Sequence, residues 1–216
     1  CAVQPGGFDE ALRLGEDVDL IWRLAEDGWL IRYDPTVSIH HRTRTRLRSW
    51  LRRKVEYGTS APKLEQRHPG QLAPTRARPW NLLTLGLTLT GHPLAGAAAQ
   101  VVPFAILAGK FRKVPDGTML AARVTALGVL ADVMSYGQVL RREWWPLGAA
   151  VMLATPWSRG ARLGAAMMLV PIGLEWTKER PALSPIAYTA LRLVDEAAYG
   201  AGVLLASLQA REWRTL

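Results

Sequence analysis

A long stretch without Asp, Glu, Lys or Arg lies between Arg78 and Lys110. About 20 consecutive apolar residues suffice for a helix that crosses a bilayer, so this stretch is long enough to cross one. Gly91 and Pro93 interrupt it, however, and a helical hairpin that enters the membrane and returns fits equally well. The sequence therefore predicts a helical region that is partly inserted and partly interfacial. An ordinary soluble helical bundle is the alternative.

The residues before this stretch are more polar and carry mixed signals. Apolar residues recur at helical spacing over residues 16–26, and Gly28 follows as a suitable helix stop. Residues 29–33 and 37–40 resemble two short strands separated by a turn signal at Asp34. Helix, strand, turn and strand in this order predict an α/β domain. We expect three regions: the α/β domain at 1–62, a linker at 63–79 and the helical membrane-associated region at 80–216.

A dense basic segment occupies residues 42–54, and Leu47, Trp50 and Leu51 recur within it at helical spacing. This pattern predicts an amphipathic helix whose apolar face enters an anionic membrane surface while its arginines meet the headgroups. The formal net charge of +9 also favours a polyanionic partner. Because the helix pairs its charge with Trp and Leu, we expect lipid and no nucleic acid. The basic excess favours the cytoplasmic face of the cell membrane for the catalytic part.

Two acidic motifs carry the chemistry. Residues 6–10 read G-G-F-D-E, and residues 15–24 read G-E-D-V-D-L-I-W-R-L. A glycine-rich loop beside carboxylates at a helix start forms a small site lined by backbone N–H groups. An ionised Asp there can accept the proton of a bound hydroxyl, which is otherwise a weak nucleophile. Simple capping of the helix by acidic residues explains the same pattern without any function, and the chemistry alone leaves both interpretations open.

Together the two motifs resemble the acceptor side of the family 2 glycosyltransferases. The resemblance covers residues 1 to about 60 and implies the C-terminal part of a GT-A, Rossmann-like domain that performs an inverting transfer. Asp17 matches the general base that deprotonates the acceptor hydroxyl. Glu16 beside it, with Gly7 and Asp9 in the preceding loop, would shape the acceptor pocket.

The chain also resembles the mycofactocin-system glycosyltransferases. The acidic motif, the basic segment, Y-G-T-S-A at 57–61, R-H-P-G at 67–70 and the apolar tail carry this resemblance. That family glycosylates a small peptide-derived redox cofactor in actinobacteria. The resemblance implies transfer of a hexose, with glucose from UDP-glucose expected, to a small peptide-derived or glycan acceptor. The alternatives are another family 2 transferase acting on a lipid-linked or cell-wall glycan, and a non-enzymatic membrane-binding module.

The resemblance further implies a nucleotide-sugar donor bound together with Mg²⁺ or Mn²⁺. Strand alternation places His40 and His41 on opposite faces, so at most one of them faces the site. His40, which is in phase with Ser38, is the expected metal ligand, slightly ahead of His41. Arg42, Arg44 and Arg46 are expected to contact the donor diphosphate, since guanidinium matches phosphate geometry.

Several departures from the family pattern limit what the chain does. The processive Q-x-x-R-W motif keeps only Trp50, which argues against polymer synthesis. Asp19 and Arg23 are expected to anchor the helix and not to catalyse. No Asp-x-Asp motif occurs outside the acidic helix motif, and the chain starts at Cys1 without a signal peptide. We therefore expect a fragment that lacks the donor-binding half and is inactive alone.

Overall fold

A computed structural model describes residues 6–37, 46–75 and 78–216, and every regular element in those residues is an α-helix. The helices are α1 Glu16–Glu26, α2 Leu47–Gly58, α3 Ala61–Arg67, α4 Pro79–Leu89, α5 Pro93–Ala99, α6 Val101–Lys110, α7 Gly117–Arg141, α8 Trp145–Leu153, α9 Arg159–Glu179 and α10 Pro185–Ala210. The chain divides into two compact units. The first contains α1 to α3 with Val194–Leu216, and the second is Thr75–Leu193, so α10 contributes to both.

The expected α/β fold is wrong, because the described residues contain no strand and hence no Rossmann-like GT-A sheet. Residues 29–33 are irregular, and Leu30 and Tyr33 are 95% and 86% exposed. A strand persists only when a neighbouring strand pairs its N–H and C=O groups, and a local sequence pattern cannot supply that neighbour. The turn at Asp34 is present, since its carboxylate accepts the Thr36 backbone N–H at 2.9 Å and hydroxyl at 2.7 Å. Most of the second expected strand, residues 38–40, lies outside the described residues.

α1 has the bounds that its sequence predicts. Leu20 is buried on its inner face, and Asp19 beside it is buried as well. The helix ends where Gly28 takes a φ of +83°, a left-handed conformation that favours glycine. α2 confirms the helix expected in the basic segment from Leu47 onward, with Trp50 half-buried. Residues 42–45 of that segment lie outside the described residues.

Within the first unit, α2 crosses the last part of α10 at a pair of glycines. A Cβ added to Gly58 would collide with the carbonyl oxygen of Tyr199, and one added to Gly202 would collide with that of Val55. The two backbones approach this closely because neither glycine carries a side chain. An ion pair between Lys54 on α2 and Asp195 on α10, at 2.9 Å, joins the same two helices.

α3 is short and buries most of its length in the first unit. Leu64 is buried and lies against Gly15, where an added Cβ would come within 2.9 Å of the Leu64 side chain. Glu65 is buried and its carboxylate accepts the backbone N–H groups of Gly70 at 2.7 Å and Leu72 at 3.2 Å. The loop after α3 is therefore fixed by a residue within the helix.

The second unit begins with the hairpin that the sequence left as one of two options. α4 ends at Leu89, α5 begins at Pro93, and the two helices pack against each other. The Thr84 hydroxyl donates to the carbonyl of Gly96 across the hairpin at 2.9 Å, and the Gln100 amide donates to the Thr84 hydroxyl at 2.7 Å.

α7, α8 and α9 pack against one another and supply the core of the second unit. Met168 and Ile172 on α9 are buried at its centre. Gly137 on α7 lies so close to α9 that an added Cβ would collide with the carbonyl oxygen of Met167. The Arg141 guanidinium, itself buried, donates to the carbonyl of Met168 at 2.6 Å.

Two stretches of the second unit, Pro93–Lys110 and Gly117–Arg141, are long and apolar enough to cross a membrane by length and composition. Few of their residues are buried within the protein. Large apolar side chains point outward instead, for example Leu94 at 86% and Met119 at 68% exposure.

Candidate functional site

The two acidic motifs meet in the first unit, around the loop of residues 6–10 and the start of α1. Gly6 and Gly7 have φ values of +86° and +69°, which allow the loop to turn sharply before Asp9. The Asp9 carboxylate accepts the Ala11 backbone N–H at 2.8 Å. The local backbone therefore orients the Asp9 side chain without help from another helix.

Asp19, on the inner face of α1, is the centre of a buried polar network. Its side chain is 1% exposed. One carboxylate oxygen accepts from Arg23 Nε at 2.8 Å, and the other accepts from Arg67 at 3.2 Å and lies 3.1 Å from His68 Nε2. The expected anchoring contact between Asp19 and Arg23 is confirmed, and two residues from the end of α3 join it.

The same arginines reach the glycine-rich loop. Arg67 pairs with the Asp9 carboxylate at 2.6 Å, and Arg23 donates to the carbonyl of Gly7 at 2.6 Å. Each arginine thus connects the buried Asp19 to one residue of the loop. Charge-assisted hydrogen bonds of this kind are short and about twice as strong as neutral ones.

His68 lies between two carboxylates. Its Nε2 faces Asp19, and its Nδ1 is 2.7 Å from a carboxylate oxygen of Glu26. The ring also meets Trp22 edge to face, with centroids 5.2 Å apart. With an acceptor at each nitrogen, the protonated imidazolium is the form that donates to both.

The charges in this network shift three pKa values. Burial alone would lower the pKa of His68, but the hydrogen bonds to Glu26 and Asp19 outweigh it and raise that pKa above 6.5. Burial alone would raise the pKa of Asp19, but hydrogen bonds from His68, Arg23 and Arg67 lower it. The Ala11 backbone N–H and the Arg67 guanidinium lower the pKa of Asp9. The network therefore favours the ionised form of the two carboxylates and the protonated form of the histidine.

A cleft of about 450 Å³ opens beside the loop. Its lining consists of residues 6–10 together with Arg23 and Arg67. Of the expected acceptor residues, the structure places Gly7 and Asp9 in this cleft. Glu16 and Asp17 are not part of its lining; both lie in the first turn of α1, and Asp17 is exposed with one carboxylate oxygen 2.8 Å from the Val18 nitrogen.

The donor-side residues are only partly described. Arg46 is the residue directly before α2, and it is exposed. Its backbone carbonyl accepts a hydrogen bond from the Ser49 hydroxyl at 2.8 Å. Arg42, Arg44 and His40 lie outside the described residues, as does His41. Within the described ranges, no group of three or more His, Cys, Asp or Glu side chains is placed to hold a metal ion. The expected Mg²⁺ or Mn²⁺ stays a prediction, because its expected ligand His40 lies outside the described residues.

Sequence reasoning did not identify His68 and Arg67 as part of this site. His68 stands 49 residues after its partner Asp19, and no local periodicity connects the two. The only signal was the R-H-P-G run at 67–70, an unusual polar group directly before a Pro-Gly turn.

The sequence that forms this site is similar to known proteins over most of its length. The chain is 35% identical over 211 residues to the "Pre-mycofactocin glycosyltransferase" of Mycobacterium tuberculosis strain CDC 1551 / Oshkosh. The protein of the same name from strain ATCC 25618 / H37Rv gives the same identity over the same length. This chain resembles a pre-mycofactocin glycosyltransferase. The resemblance to the mycofactocin-system glycosyltransferases that the sequence motifs indicated is thereby confirmed, and the resemblance to family 2 stays a prediction.

The similarity covers 92% of this chain and 44% of each relative, so the chain spans less than half the length of the proteins it matches. Because it covers most of this chain, the similarity extends beyond the acidic motif into the apolar helices of the second unit. No protein-family model matches the chain, and no solved structure matches it.

Proposed function

We propose that this chain serves a glycosyltransferase of mycofactocin biosynthesis, in which it supplies the acceptor side of the reaction. The single observation that supports this most strongly is the 35% identity to the pre-mycofactocin glycosyltransferases, which extends over 92% of the chain. The proposed reaction moves a hexose, with glucose from UDP-glucose as the first candidate, to a hydroxyl of a peptide-derived acceptor.

In the proposed step, Asp17 acts as the general base. The acceptor oxygen attacks the anomeric carbon, the bond from that carbon to the diphosphate oxygen breaks, and the hydroxyl proton passes to the Asp17 carboxylate. Inversion follows from attack on the face opposite the leaving group. Two observations support this role: Asp17 is exposed, and it lies in the first turn of α1, where the helix dipole favours an ionised carboxylate.

The proposed acceptor site is the cleft beside residues 6–10. Gly7 contributes backbone to it, Asp9 contributes an ionised carboxylate, and the guanidinium groups of Arg23 and Arg67 line its wall. Because Glu16 and Asp17 lie outside the lining of the cleft, the proposal requires the acceptor to extend from the cleft to the start of α1. Such a cleft suits an acceptor substrate with several hydroxyl or amide groups, because it offers hydrogen-bond donors and hydrogen-bond acceptors within one small volume.

The donor diphosphate is proposed to meet Arg46 together with Arg42 and Arg44, by charge-assisted hydrogen bonds. Since the described residues assemble no metal-binding group, no step is assigned to a metal, and the role of His40 stays a prediction. The proposed location is the cytoplasmic face of the cell membrane, with an anionic surface beneath α2. The two apolar helical stretches and the exposed basic side chains of α2 support that location.

The test is a transfer assay on the product of the whole gene that encodes this chain, with radiolabelled UDP-glucose and the mycofactocin precursor. Asp17→Asn should lower the rate about 100-fold or more, because proton removal by a positioned base is worth that much. UDP binding, measured by calorimetry, should change little. Asp27→Asn, an exposed carboxylate just after the same helix, is the matched control and should keep full activity.

Each outcome has a distinct meaning. Full activity in Asp17→Asn would remove Asp17 from the mechanism. Transfer to a lipid-linked or cell-wall glycan, with none to the precursor, would change the acceptor. Tight binding to anionic vesicles without any transfer would favour the non-enzymatic membrane-binding module.

A further inference from the structure

The second unit contains two apolar cavities that share a wall. They have volumes of about 790 Å³ and 410 Å³. Leu85 and Leu89 on α4, Tyr136 on α7 and Met167 on α9 line both. Side chains of α8, among them Leu147 and Val151, also line the larger one, which is partly open to the surface.

The size and the lining of the larger cavity indicate a hydrocarbon ligand. An apolar cavity of about 150 Å³ is enough to bind benzene, and this one has roughly five times that volume. With as many carbon atoms per unit volume as benzene has in its cavity, half of the larger cavity would hold a hydrocarbon chain of about 16 carbon atoms. Its lining is almost entirely aliphatic and aromatic, which is typical of sites that enclose apolar ligands.

The hydroxyl group of Tyr136, in the wall that the two cavities share, lacks a hydrogen-bond acceptor among the described residues. The Tyr136 hydroxyl is buried, and its only contact with a hydrogen-bonding group of the described residues is with the Arg78 backbone, which lowers the pKa of Tyr136 and so acts as a donor. Among the described residues, none accepts the proton of this hydroxyl, and buried hydroxyls rarely remain in that state. Nearby, Asp132 in the smaller cavity is already satisfied by Arg78 at 3.0 Å and Asn81 at 2.7 Å.

We propose that these cavities bind the hydrocarbon chain of a membrane lipid, with the Tyr136 hydroxyl donating to an oxygen at the head of that chain. α7, which contributes to the wall of both cavities, is one of the two stretches long and apolar enough to cross a membrane. A lipid chain would therefore reach the cavities from the bilayer. This inference rests on the proposed membrane location and does not depend on the proposed sugar transfer.

The experiment uses the whole protein in vesicles that contain phosphatidylcholine with a photoreactive diazirine in its acyl chain. After illumination, mass spectrometry locates the adducts. We expect them on cavity residues that are at most partly exposed, such as Val139, Leu140 and Met167. Ala154→Phe, which fills the larger cavity, should reduce these adducts at least fivefold. Ala122→Phe, on an exposed position of α7 outside both cavities, is the matched control and should leave them unchanged.

Tyr136→Phe tests the polar contact separately. It should keep the positions of the adducts and lower their yield about fivefold, as loss of one hydrogen bond would. An unchanged yield would overturn the assignment to Tyr136.

Adducts confined to outward side chains such as Leu94 and Met119 would overturn the proposal, since they would report only lipid around the protein. Cross-links to another polypeptide at the cavity would overturn it as well, in favour of a protein partner. The map on the unmodified protein decides between these outcomes even if Ala154→Phe does not fold. Release of the protein from membranes by alkaline carbonate would instead contradict the proposed location, and the transfer assay would be unaffected.

Discussion

At the scale of single residues, Asp19 determines whether the acidic motif keeps its geometry. It is almost fully buried and balances Arg23, Arg67 and the protonated His68. Removing one partner of a buried charge cluster is far more costly than removing an exposed charge, because the remaining charges stay desolvated and unpaired.

Asp19→Asn keeps the shape of the side chain and removes its charge. We expect the free energy of unfolding of the first unit to fall by about 3 kcal/mol. Chemical denaturation followed by tryptophan fluorescence, with Trp22 beside the network, measures the change. Asp27→Asn should change the same quantity by less than about 0.5 kcal/mol, and an equal loss in both variants would show that Asp19 has no special role.

His68 makes the stability of the first unit depend on pH. Its pKa in the folded protein is raised above the ordinary 6.5, so its contribution is complete below pH 6.5 and is lost as the pH rises through the raised value. Asp19, whose pKa is lowered from 3.8, contributes in the opposite sense, and its contribution is lost only as the pH falls through the lowered value.

His68→Gln should therefore be less stable than the wild type at about pH 5.5, and the difference should shrink as the pH rises towards about 9. Thermal unfolding across that range measures it. A difference that stays constant with pH would mean that the imidazole packs in this site without carrying a proton.

At the scale of elements, the contact between α2 and α10 depends on two glycines with no space for a side chain. Gly58→Ala would bring a methyl group against the carbonyl oxygen of Tyr199, so the helices must separate. Overpacking of this kind costs about 1–3 kcal/mol. Circular dichroism during urea unfolding gives the loss.

Gly86→Ala is the matched control for that prediction. Gly86 lies within α4, and a Cβ added there meets nothing within 4 Å. Alanine has the higher helix propensity, so this variant should be neutral or more stable by up to about 1 kcal/mol. A loss of stability at Gly86 as large as that at Gly58 would assign the effect to helix glycines in general.

Elements differ in how well the sequence predicts them. The bounds of α1 and the break between α4 and α5 follow from local signals, namely an acidic start, Gly28 as a stop and Gly91 with Pro93 as an interruption. Residues 29–33 do not form the predicted strand, because a strand must pair with another strand that is distant in sequence, and the described residues provide none. The contacts of Asp19 with Arg67 and His68 could not be foreseen for the same reason, since they span 48 and 49 residues of sequence.

At the scale of the whole molecule, the apolar surface of the second unit supports the proposed membrane location. Its two long apolar stretches expose large hydrophobic side chains, which is unfavourable in water and favourable in lipid. The wild-type protein should therefore remain in the membrane pellet after an alkaline carbonate wash.

A charged double variant checks this location. Val101→Lys with Ile106→Lys places two ammonium groups on exposed positions of α6, each at a cost of about 3 kcal/mol inside a bilayer. The fraction retained in the pellet should fall sharply. Val18→Lys, at an exposed apolar position of α1, should leave it unchanged, and equal release of both variants would argue against insertion of α6.

The attachment of the glycine-rich loop to the end of α3 also sets an order of assembly during folding. α1 and α3 can each form from neighbouring residues, but closing the chain between Asp19 and His68 costs the entropy of a long loop. Arg67 orients Asp9 only after that closure. The cleft beside residues 6–10 therefore forms only after that closure, and brief undocking of α3 would remove it.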